Sequence, residues 1–376
     1  MLFNAAEVNH ARVEAPPARA RRQLPEEAFA TGAFMEVSII IPTCRRAAQL
    51  RACLQGLIAQ DIPTEQFEVL VGVDGRDTGE TAAFDQVAGH LNGNVKVIEK
   101  CGPAATRNVL IRQARGRLLL MLNDDVIPHP QLVRSHLQAQ RRDPGMILGA
   151  APWAVAQPDR LLDRLVRETS LIFFYDQMNG DDPQRDWGFR HAWTLNLSLP
   201  SEPVQAVDGF CEALTLPVYE DIELAWRLHD RFTLPVLYRP EAMVTHVHRY
   251  EAVDLLKRCI VLGHQAWALA TAAPRCAADI FARDVLADAS VAESGDFIES
   301  HEQAAAAQVP DFLELAHMPA DAIGGADESE PIKSLYQQQA TLRKFLWCHG
   351  HVAAAEARPL QQALAWVDEQ TAAIAP

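Results

Sequence analysis

The feature that most constrains the fold is a series of continuous apolar runs separated by stretches with helical spacing. The runs VSIII (37–41), FEVLVGV (67–73) and RLLLML (117–122) show no strict alternation of apolar and polar residues. After the first run, apolar residues recur at helical spacing from Leu50 to Ile58. Strands that are apolar throughout are buried on both faces, and such strands alternate with helices in α/β folds. The sequence therefore predicts a mostly parallel sheet covered by helices.

Charge and cysteine content exclude several classes of protein. The 376 residues include 34 basic and 49 acidic side chains, which give a formal net charge of −15 and disfavour a nucleic-acid partner. The seven cysteines form no Cys-x-x-Cys pair, so neither a disulfide framework nor a zinc knuckle is indicated. No apolar run approaches the ~20 residues that span a bilayer. We expect a cytoplasmic protein, with peripheral attachment to a membrane as the alternative.

Three regions of the chain differ in their patterns. Residues 1–35 are rich in Ala, Arg and Pro without sustained periodicity, and we predict an N-terminal arm. Residues 36–250 contain the alternating strands and helices and form the predicted α/β domain. Residues 251–376 are rich in Ala and Leu and are predicted to be helical. We expect this C-terminal region either to close over the α/β domain or to form a homodimer surface.

Polar residues follow each of the three long apolar runs. Pro42 and Thr43 follow the first, Asp74 follows the second, and Asn123 to Asp125 follow the third. Ligands of open α/β sheets bind at the carboxyl ends of the strands, where loops and helix N-termini converge. A single Asp in such a place is common in turns. Acids after several strands in succession instead indicate a ligand site.

Six segments in the order of the chain carry a family resemblance. They are VSIIIPTCRR, VGVDG, GPAATRNVLIRQARG, LLLMLNDDVIP, VDGFCEAL and YEDIELAWRL. Together they resemble the inverting nucleotide-sugar glycosyltransferases of family 2, over roughly residues 37–248. The resemblance implies a GT-A nucleotide-diphospho-sugar transferase fold with a helical C-terminal extension. It also implies transfer of a sugar, of the hexosyltransferase class, from a nucleotide diphosphate to an acceptor hydroxyl with inversion.

The resemblance implies a donor site at the strand ends. A UDP-sugar is favoured, since it is the commonest donor in the family. The residues implied to bind the nucleotide-sugar are Pro42, Thr43, Arg45, Asp74, Arg107, Asn123 and Asp124.

A divalent cation is expected because the departing diphosphate develops negative charge. Hard oxygen ligands suit Mn²⁺ or Mg²⁺. The resemblance assigns Asp125 as the direct metal ligand and His246 as a further ligand. Asn123 stands where the family usually has the first Asp of an Asp-x-Asp motif, and it supplies no charge. This departure is expected either to lower the affinity for the metal or to be offset by Asp124, which could take the place of the missing acid through a small shift.

The segment YEDIELAWRL is expected to carry the catalytic carboxylate. Asp221 resembles the general base of the family, and Glu220 beside it would orient the base or the acceptor. Acids in the first turn of a helix also interact favourably with the helix dipole, which is the simpler explanation. Trp193 and Asn196 are predicted on the acceptor side. The acceptor itself, a glycan, lipid, peptide or natural product, is not specified.

Two other functions compete with this interpretation. A nucleotide-sugar-binding protein with degenerate or regulatory activity is kept open by Asn123. A nucleotidyltransferase on a related sheet is disfavoured, because IPTCRRAAQL (41–50) lacks the glycines of a triphosphate-binding loop. Hydrolysis of the donor, measured with and without metal, would separate a transferase from a binding protein.

Overall fold

The computed structural model describes residues 35–178, 182–325 and 328–372. The described chain divides into two compact units. The sheet unit contains residues 35–154 and 182–248, and the helical unit contains residues 155–178, 249–325 and 328–372. The predicted N-terminal arm lies outside the described residues, apart from Met35.

The sheet unit is built on a mixed sheet. Its strands are β1 (Val37–Thr43), β2 (Phe67–Asp74), β3 (Gly93–Ile98), β4 (Leu118–Leu122), β5 (Val126–Pro128), β6 (Met146–Ala150), β7 (Asn196–Pro200) and β8 (Val236–His246). Within the described residues, the order across the sheet is β3-β2-β1-β4-β7-β6-β8-β5. Strands β1 to β4 pair in parallel, β7 runs antiparallel to β4 and β6, and β8 runs parallel to β6 and antiparallel to β5.

The helices follow the predicted alternation. In chain order they are α1 (Ala47–Ile58), α2 (Glu80–Asp85), α3 (Pro103–Ile111), α4 (Leu132–Arg142), α5 (Leu161–Glu168), α6 (Ser201–Ala206), α7 (Glu220–Phe232), α8 (Ala252–Ala272), α9 (Pro274–Phe281), α10 (Asp288–His317), α11 (Glu330–Gln338), α12 (Ala340–Ala355) and α13 (Leu360–Ala372). Helices α1 to α4, α6 and α7 belong to the sheet unit.

The three apolar runs that predict the fold become the buried strands β1, β2 and β4. Ile39, Ile40 and Ile41 of β1 are completely buried, as are Leu119 and Leu120 of β4. Burial on both faces explains why these strands contain so few polar residues. The predicted α/β sheet covered by helices is confirmed.

Strand β8 differs from its sequence pattern. LPVLYRP followed by AMVTHV predicts two short strands, but the structure has one continuous strand from Val236 to His246. The pairing of β8 with β6 shifts register between Gly149 and Ala150. Pro240 falls in this irregular stretch, where its missing N–H costs no ladder hydrogen bond. The proline thus produces a bulge rather than the end of a strand.

The helical unit contains α5 and α8 to α13. Leu161 and Leu165 of α5 pack with Ile332 and Leu335 of α11. This apolar contact places residues 155–178 in the helical unit, whereas the sequence pattern assigns them to the region 36–250. Among the described residues, no helix has the length and apolar character needed to cross a membrane.

Candidate active site

The sheet brings the polar strand ends to one edge. β1 and β2 pair in parallel with Thr43 opposite Val73, so Thr43 and Asp74 end neighbouring strands on the same side. β4 pairs in parallel with β1 on its other side. The Thr43 hydroxyl donates a hydrogen bond of 2.7 Å to Oδ2 of Asp124, which follows β4. The predicted meeting of these segments is therefore present in the structure.

A buried carboxylate pair occupies this edge. Asp124 and Asp125 are each only 4% exposed. Nη1 of Arg46 donates to Oδ1 of Asp124 at 3.2 Å and to Oδ2 of Asp125 at 2.7 Å. The sequence singles out Arg45 instead, but Arg45 is exposed and adopts a left-handed φ of 57°. This turn directs the next arginine, at the start of α1, to the two acids.

The two carboxyl groups differ in acidity. Burial, reinforced by the charge of Asp125, raises the pKa of Asp124 to about 6. Burial alone would also raise the pKa of Asp125, but the close approach and charge of His246, with the charges of Arg46 and His248, lower it to about 2. Neighbouring acids commonly separate in this way, since both cannot ionise equally easily. Asp125 is consequently the permanent anion of the pair.

Two histidines approach Asp125 from the end of β8. Nε2 of His246 lies 3.5 Å from Oδ1 of Asp125, and Nδ1 of His248 lies 3.6 Å from Oδ2. The ring of Trp153 stacks on His246 with 3.9 Å between centroids. Oδ1 of Asp125 is buried and accepts no hydrogen bond of ordinary geometry from the described residues. A carboxylate oxygen and imidazole nitrogens fit Mn²⁺, which accepts both kinds of ligand.

The site does not hold a complete set of metal ligands. Among the described residues, no three His, Cys, Asp or Glu side chains are gathered closely enough to bind a metal ion by themselves. Asp125 and His246, both predicted as metal ligands, do lie together.

Asp74, the last residue of β2, contacts the two residues that precede α3. Its Oδ1 accepts the backbone N–H groups of Cys101, at 2.8 Å, and Gly102, at 3.3 Å. Its Oδ2 forms an ion pair with Lys100. Burial would raise the pKa of Asp74, but Lys100 and the two backbone donors lower it. Lys100 has no counterpart among the sequence predictions, because it follows a weakly apolar edge strand.

Glu220 and Asp221 open helix α7. Glu220 is 3% exposed and accepts a hydrogen bond of 3.0 Å from Nη1 of Arg107, which is equally buried. Asp221 is partly buried, and its carboxyl group interacts with the backbone N–H groups of Ile222 and Thr194. Burial and the charge of Glu220 together raise the pKa of Asp221 to about 7. Asp221 therefore has the acidity of a group that exchanges protons near neutrality.

The two residues that precede β7 connect Asp221 to the segment that bears the carboxylate pair. Thr194 contributes a backbone N–H to Asp221. The carbonyl of the next residue, Leu195, accepts the N–H of Asn123 at 3.4 Å. The predicted base and the segment that contains the predicted metal ligand thus flank the same short stretch of chain.

Helix α3 connects two further parts of the site. Arg107 reaches Glu220, and the amide of Asn108 both donates to the carbonyl of Phe210, at 2.9 Å, and accepts its N–H, at 2.8 Å. Gly209 has φ of 71°, and a Cβ there would lie 2.3 Å from Oδ1 of Asn108. The loop VDGFCEAL is thereby fixed against the helix.

The two predicted acceptor-side residues are both buried. Trp193 is 4% exposed, and its ring lies 5.6 Å from that of His191. Asn196 is completely buried, its Nδ2 donates to the carbonyls of Ala150 and Ala242, and its Oδ1 contacts the His136 ring at 2.9 Å. These contacts place Asn196 in the interior of the sheet.

Comparison with known proteins identifies the type of domain. Residues 38–192 match the sequence profile described as Glycosyl transferase family 2. The chain contains a glycosyltransferase family 2 domain. With the mixed sheet, this match supports the GT-A fold class predicted from the motifs.

Curated relatives carry related names. Validoxylamine A glucosyltransferase of Streptomyces hygroscopicus subsp. jinggangensis is 31% identical over 215 residues, which is 51% of this chain and 51% of the relative. Glycosyltransferase AglE of Haloferax volcanii is 33% identical over 98 residues, which is 25% of this chain and 32% of the relative. The chain thus aligns with about half of the first relative's length.

Two solved structures align with most of the chain. The structure of S. aureus TarS 1–349 covers 86% of this chain and 92% of its own chain, with 14% identity and a TM-score of 0.47. Mannosyltransferase PcManGT from Pyrobaculum calidifontis, in complex with GDP-Man and Mn²⁺, covers 86% and 88%, with 17% identity and a TM-score of 0.49.

Proposed function

We propose that this chain is an inverting glycosyltransferase that moves a sugar from a nucleotide diphosphate to an acceptor hydroxyl. The observation that carries the proposal is the position of Asp221, which is joined through Thr194 and Leu195, just before β7, to the segment bearing Asp124 and Asp125. Sugar transfer makes two chemical demands. The base lies on one side of this stretch and meets one of them, and the acids on the other side, which suit a metal–diphosphate, meet the second. A hydroxyl must lose a proton, and a diphosphate must leave.

Asp221 is proposed as the general base. A carboxylate is most effective when its pKa lies near the working pH, and burial raises the pKa of Asp221 to about 7. The N–H groups of Ile222 and Thr194 orient the carboxylate, so the remaining lone pairs can accept the acceptor's proton. Glu220 is held by Arg107 and is proposed to position the base rather than to take the proton.

Asp125 and His246 are proposed to hold the divalent cation. The cation, Mn²⁺ or Mg²⁺, would neutralise the charge of the departing diphosphate. Such ions in transferases commonly take one or two carboxylates from the protein and further oxygens from substrate phosphates. That ligand pattern agrees with the incomplete set of protein ligands at this edge.

The donor is proposed to bind across the carboxyl edge of β1, β2 and β4. A UDP-sugar is favoured, and the structures of S. aureus TarS include complexes with UDP and with UDP-GlcNAc. The proposed donor-binding residues are Pro42, Thr43, Arg45, Asp74, Arg107, Asn123 and Asp124. Of these, Arg107 and Asp74 already hold Glu220 and Lys100, so their proposed contribution includes fixing those partners.

The acceptor is proposed to approach on the side of Trp193, next to the Thr194 N–H that contacts Asp221. Asn196 would support this side from the sheet interior, through its bonds to the carbonyls of Ala150 and Ala242. A homodimer through the C-terminal helices stays a prediction, and light scattering of the purified chain tests it.

Turnover of defined donors tests the function. Purified protein is incubated with UDP-Glc, UDP-GlcNAc and GDP-Man, each with Mn²⁺, Mg²⁺ or EDTA, and the release of nucleotide diphosphate is measured. We expect release with at least one donor and a loss of about 10²- to 10⁴-fold in Asp221→Asn. Asp230→Asn, which changes an exposed acid on the same helix, serves as the matched control.

The results also separate the competing function. Donor binding without release by the wild type would support a binding protein instead. Equal rates in the wild type and Asp221→Asn would contradict the assignment of the base. The anomeric configuration of the product, read by NMR, tests inversion.

A further inference from the structure

Arg46 already neutralises the carboxylate pair. Three of the four carboxylate oxygens of Asp124 and Asp125 accept hydrogen bonds, two of them from Nη1 of Arg46 and one from the Thr43 hydroxyl. The fourth, Oδ1 of Asp125, is buried and accepts no hydrogen bond of ordinary geometry from the described residues. The Arg46 guanidinium is therefore bonded to carboxylate oxygens that a divalent cation would need as ligands.

The backbone of Arg46 is fixed, whereas its side chain has a path to solvent. The N–H of Arg46 donates to Oε1 of Glu80 at 2.8 Å, and Glu80 also accepts the N–H of Thr78 at 2.6 Å. The side chain of Arg46 is 38% exposed, in contrast to the 6% of each aspartate side chain. The guanidinium can thus leave the pair by rotation of the side chain alone, without movement of the loop.

We propose that Arg46 is a resident counter-cation of Asp124 and Asp125 that competes with the divalent ion for Asp125. The ion binds when the guanidinium leaves, because two cations cannot share the same carboxylate oxygens without strong repulsion. Oδ1 of Asp125 offers the first contact to the arriving ion, and His246 lies beside it at 3.5 Å. The inference rests on the proposed metal-assisted transfer and adds a residue that sets the apparent affinity for the metal.

Such an arrangement has a physical advantage for a metal site built from two adjacent buried acids. Without a cation, two buried carboxylates in sequence repel each other and lose their hydration. Arg46 supplies a cation in the metal-free protein, so the pair stays compact before metal and donor arrive. The consequence is a weaker apparent affinity for the metal, because the ion must displace a charged partner.

Metal titrations of the wild type and three variants test the proposal. Mn²⁺ binding is measured by calorimetry or by EPR of free Mn²⁺, without donor, for the wild type, Arg46→Gln, Arg51→Gln and Asp125→Asn. We expect Arg46→Gln to bind Mn²⁺ about tenfold more tightly than the wild type, a change of about 1.4 kcal/mol. Arg51→Gln, an exposed arginine on the same helix, should match the wild type. Asp125→Asn should lose the site.

Stability in EDTA provides a second measurement. Arg46→Gln should have a lower Tm than the wild type without metal, because the acids lose their counter-cation, and Mn²⁺ should raise its Tm by more. A crystal structure with Mn²⁺ should show the guanidinium away from both carboxylates.

Each remaining outcome overturns the inference. An unchanged or weaker affinity for Mn²⁺ in Arg46→Gln, with binding lost in Asp125→Asn, would overturn the role of Arg46 and leave the metal site intact. A structure with Mn²⁺ bound and Arg46 still on both acids would do the same. Absence of Mn²⁺ binding in both the wild type and Arg46→Gln would overturn the inference, and metal assistance is then decided separately by the donor assay with Mn²⁺ and EDTA.

Discussion

Replacing Asp221 with asparagine tests whether the fold holds a carboxylate in an unfavourable environment. Burial and the charge of Glu220 raise the pKa of Asp221 from 3.8 to about 7. A raised pKa means that the folded protein binds this proton more tightly than the unfolded chain does. The stabilising contribution is thus fully present below the unfolded pKa, and it is lost as the pH rises through the folded value.

The magnitude follows from the two pKa values. They lie about three units apart, which corresponds to about 4 kcal/mol at about 1.36 kcal/mol per unit. Because the Asp221 side chain stays partly accessible to solvent, which screens its charge, we take half of this, about 2 kcal/mol. Asparagine does not ionise, so the variant does not lose this stability as the pH rises. It also loses one hydrogen bond, about 1 kcal/mol at every pH, because its amide nitrogen cannot accept an N–H.

Urea unfolding of both proteins between about pH 4 and pH 8 measures the difference. We expect Asp221→Asn to be about 1 kcal/mol less stable than the wild type at the acidic end and about 1 kcal/mol more stable at the alkaline end. Asp230→Asn should show no such trend. A difference between Asp221→Asn and wild type that stays constant with pH would refute the reasoning, even if the variant were inactive.

Substitutions at four further positions probe other contacts. Arg107→Gln removes a charge that lowers the pKa of Asp221, so the acidic limb of the rate–pH profile should move to higher pH by about one unit, and an unmoved limb would contradict the coupling. Gly263→Ala places a Cβ 1.9 Å from a backbone oxygen of α12 and should lower the free energy of unfolding by about 2 kcal/mol or more. Gly295→Ala, with open space around it, should instead raise it by about 0.5 kcal/mol, and equal signs for the two changes would be inconsistent with the packing. Trp153→Ala removes the ring stacked on His246, a proposed metal ligand, and should weaken Mn²⁺ binding severalfold. Trp153→Phe should restore the affinity, and calorimetry measures Mn²⁺ binding to both variants.

The parts of the fold that follow from periodicity could be predicted from sequence. Continuous apolar runs identify β1, β2 and β4, because strands buried on both faces leave no room for polar side chains. Once the strands are parallel, their polar ends must share one edge. The meeting of Thr43 with Asp124 is therefore a consequence of topology rather than of any single motif.

The parts that depend on non-local packing could not be predicted in this way. The segment 155–178 joins the helical unit because Leu161 and Leu165 contact residues more than 150 positions away, and no local pattern reports such a partner. The choice between Arg45 and Arg46 likewise depends on one left-handed backbone turn. Adjacent arginines have the same chemistry, so only the path of the chain decides which one reaches the acids.

Helix α3 links two parts of the site, one at Asp74 and the other at Glu220. Asp74 accepts the N–H groups of Cys101 and Gly102, which immediately precede the helix, and Arg107 reaches Glu220 five residues after Gly102, about 7.5 Å along the axis. A helix this short moves as a rigid body, so a shift at one end is transmitted to the other. Substitutions around Cys101 should therefore change the position of Glu220 and Asp221, although they do not contact them. A substitution at one end of α3 should be tolerated only when the other end changes to match.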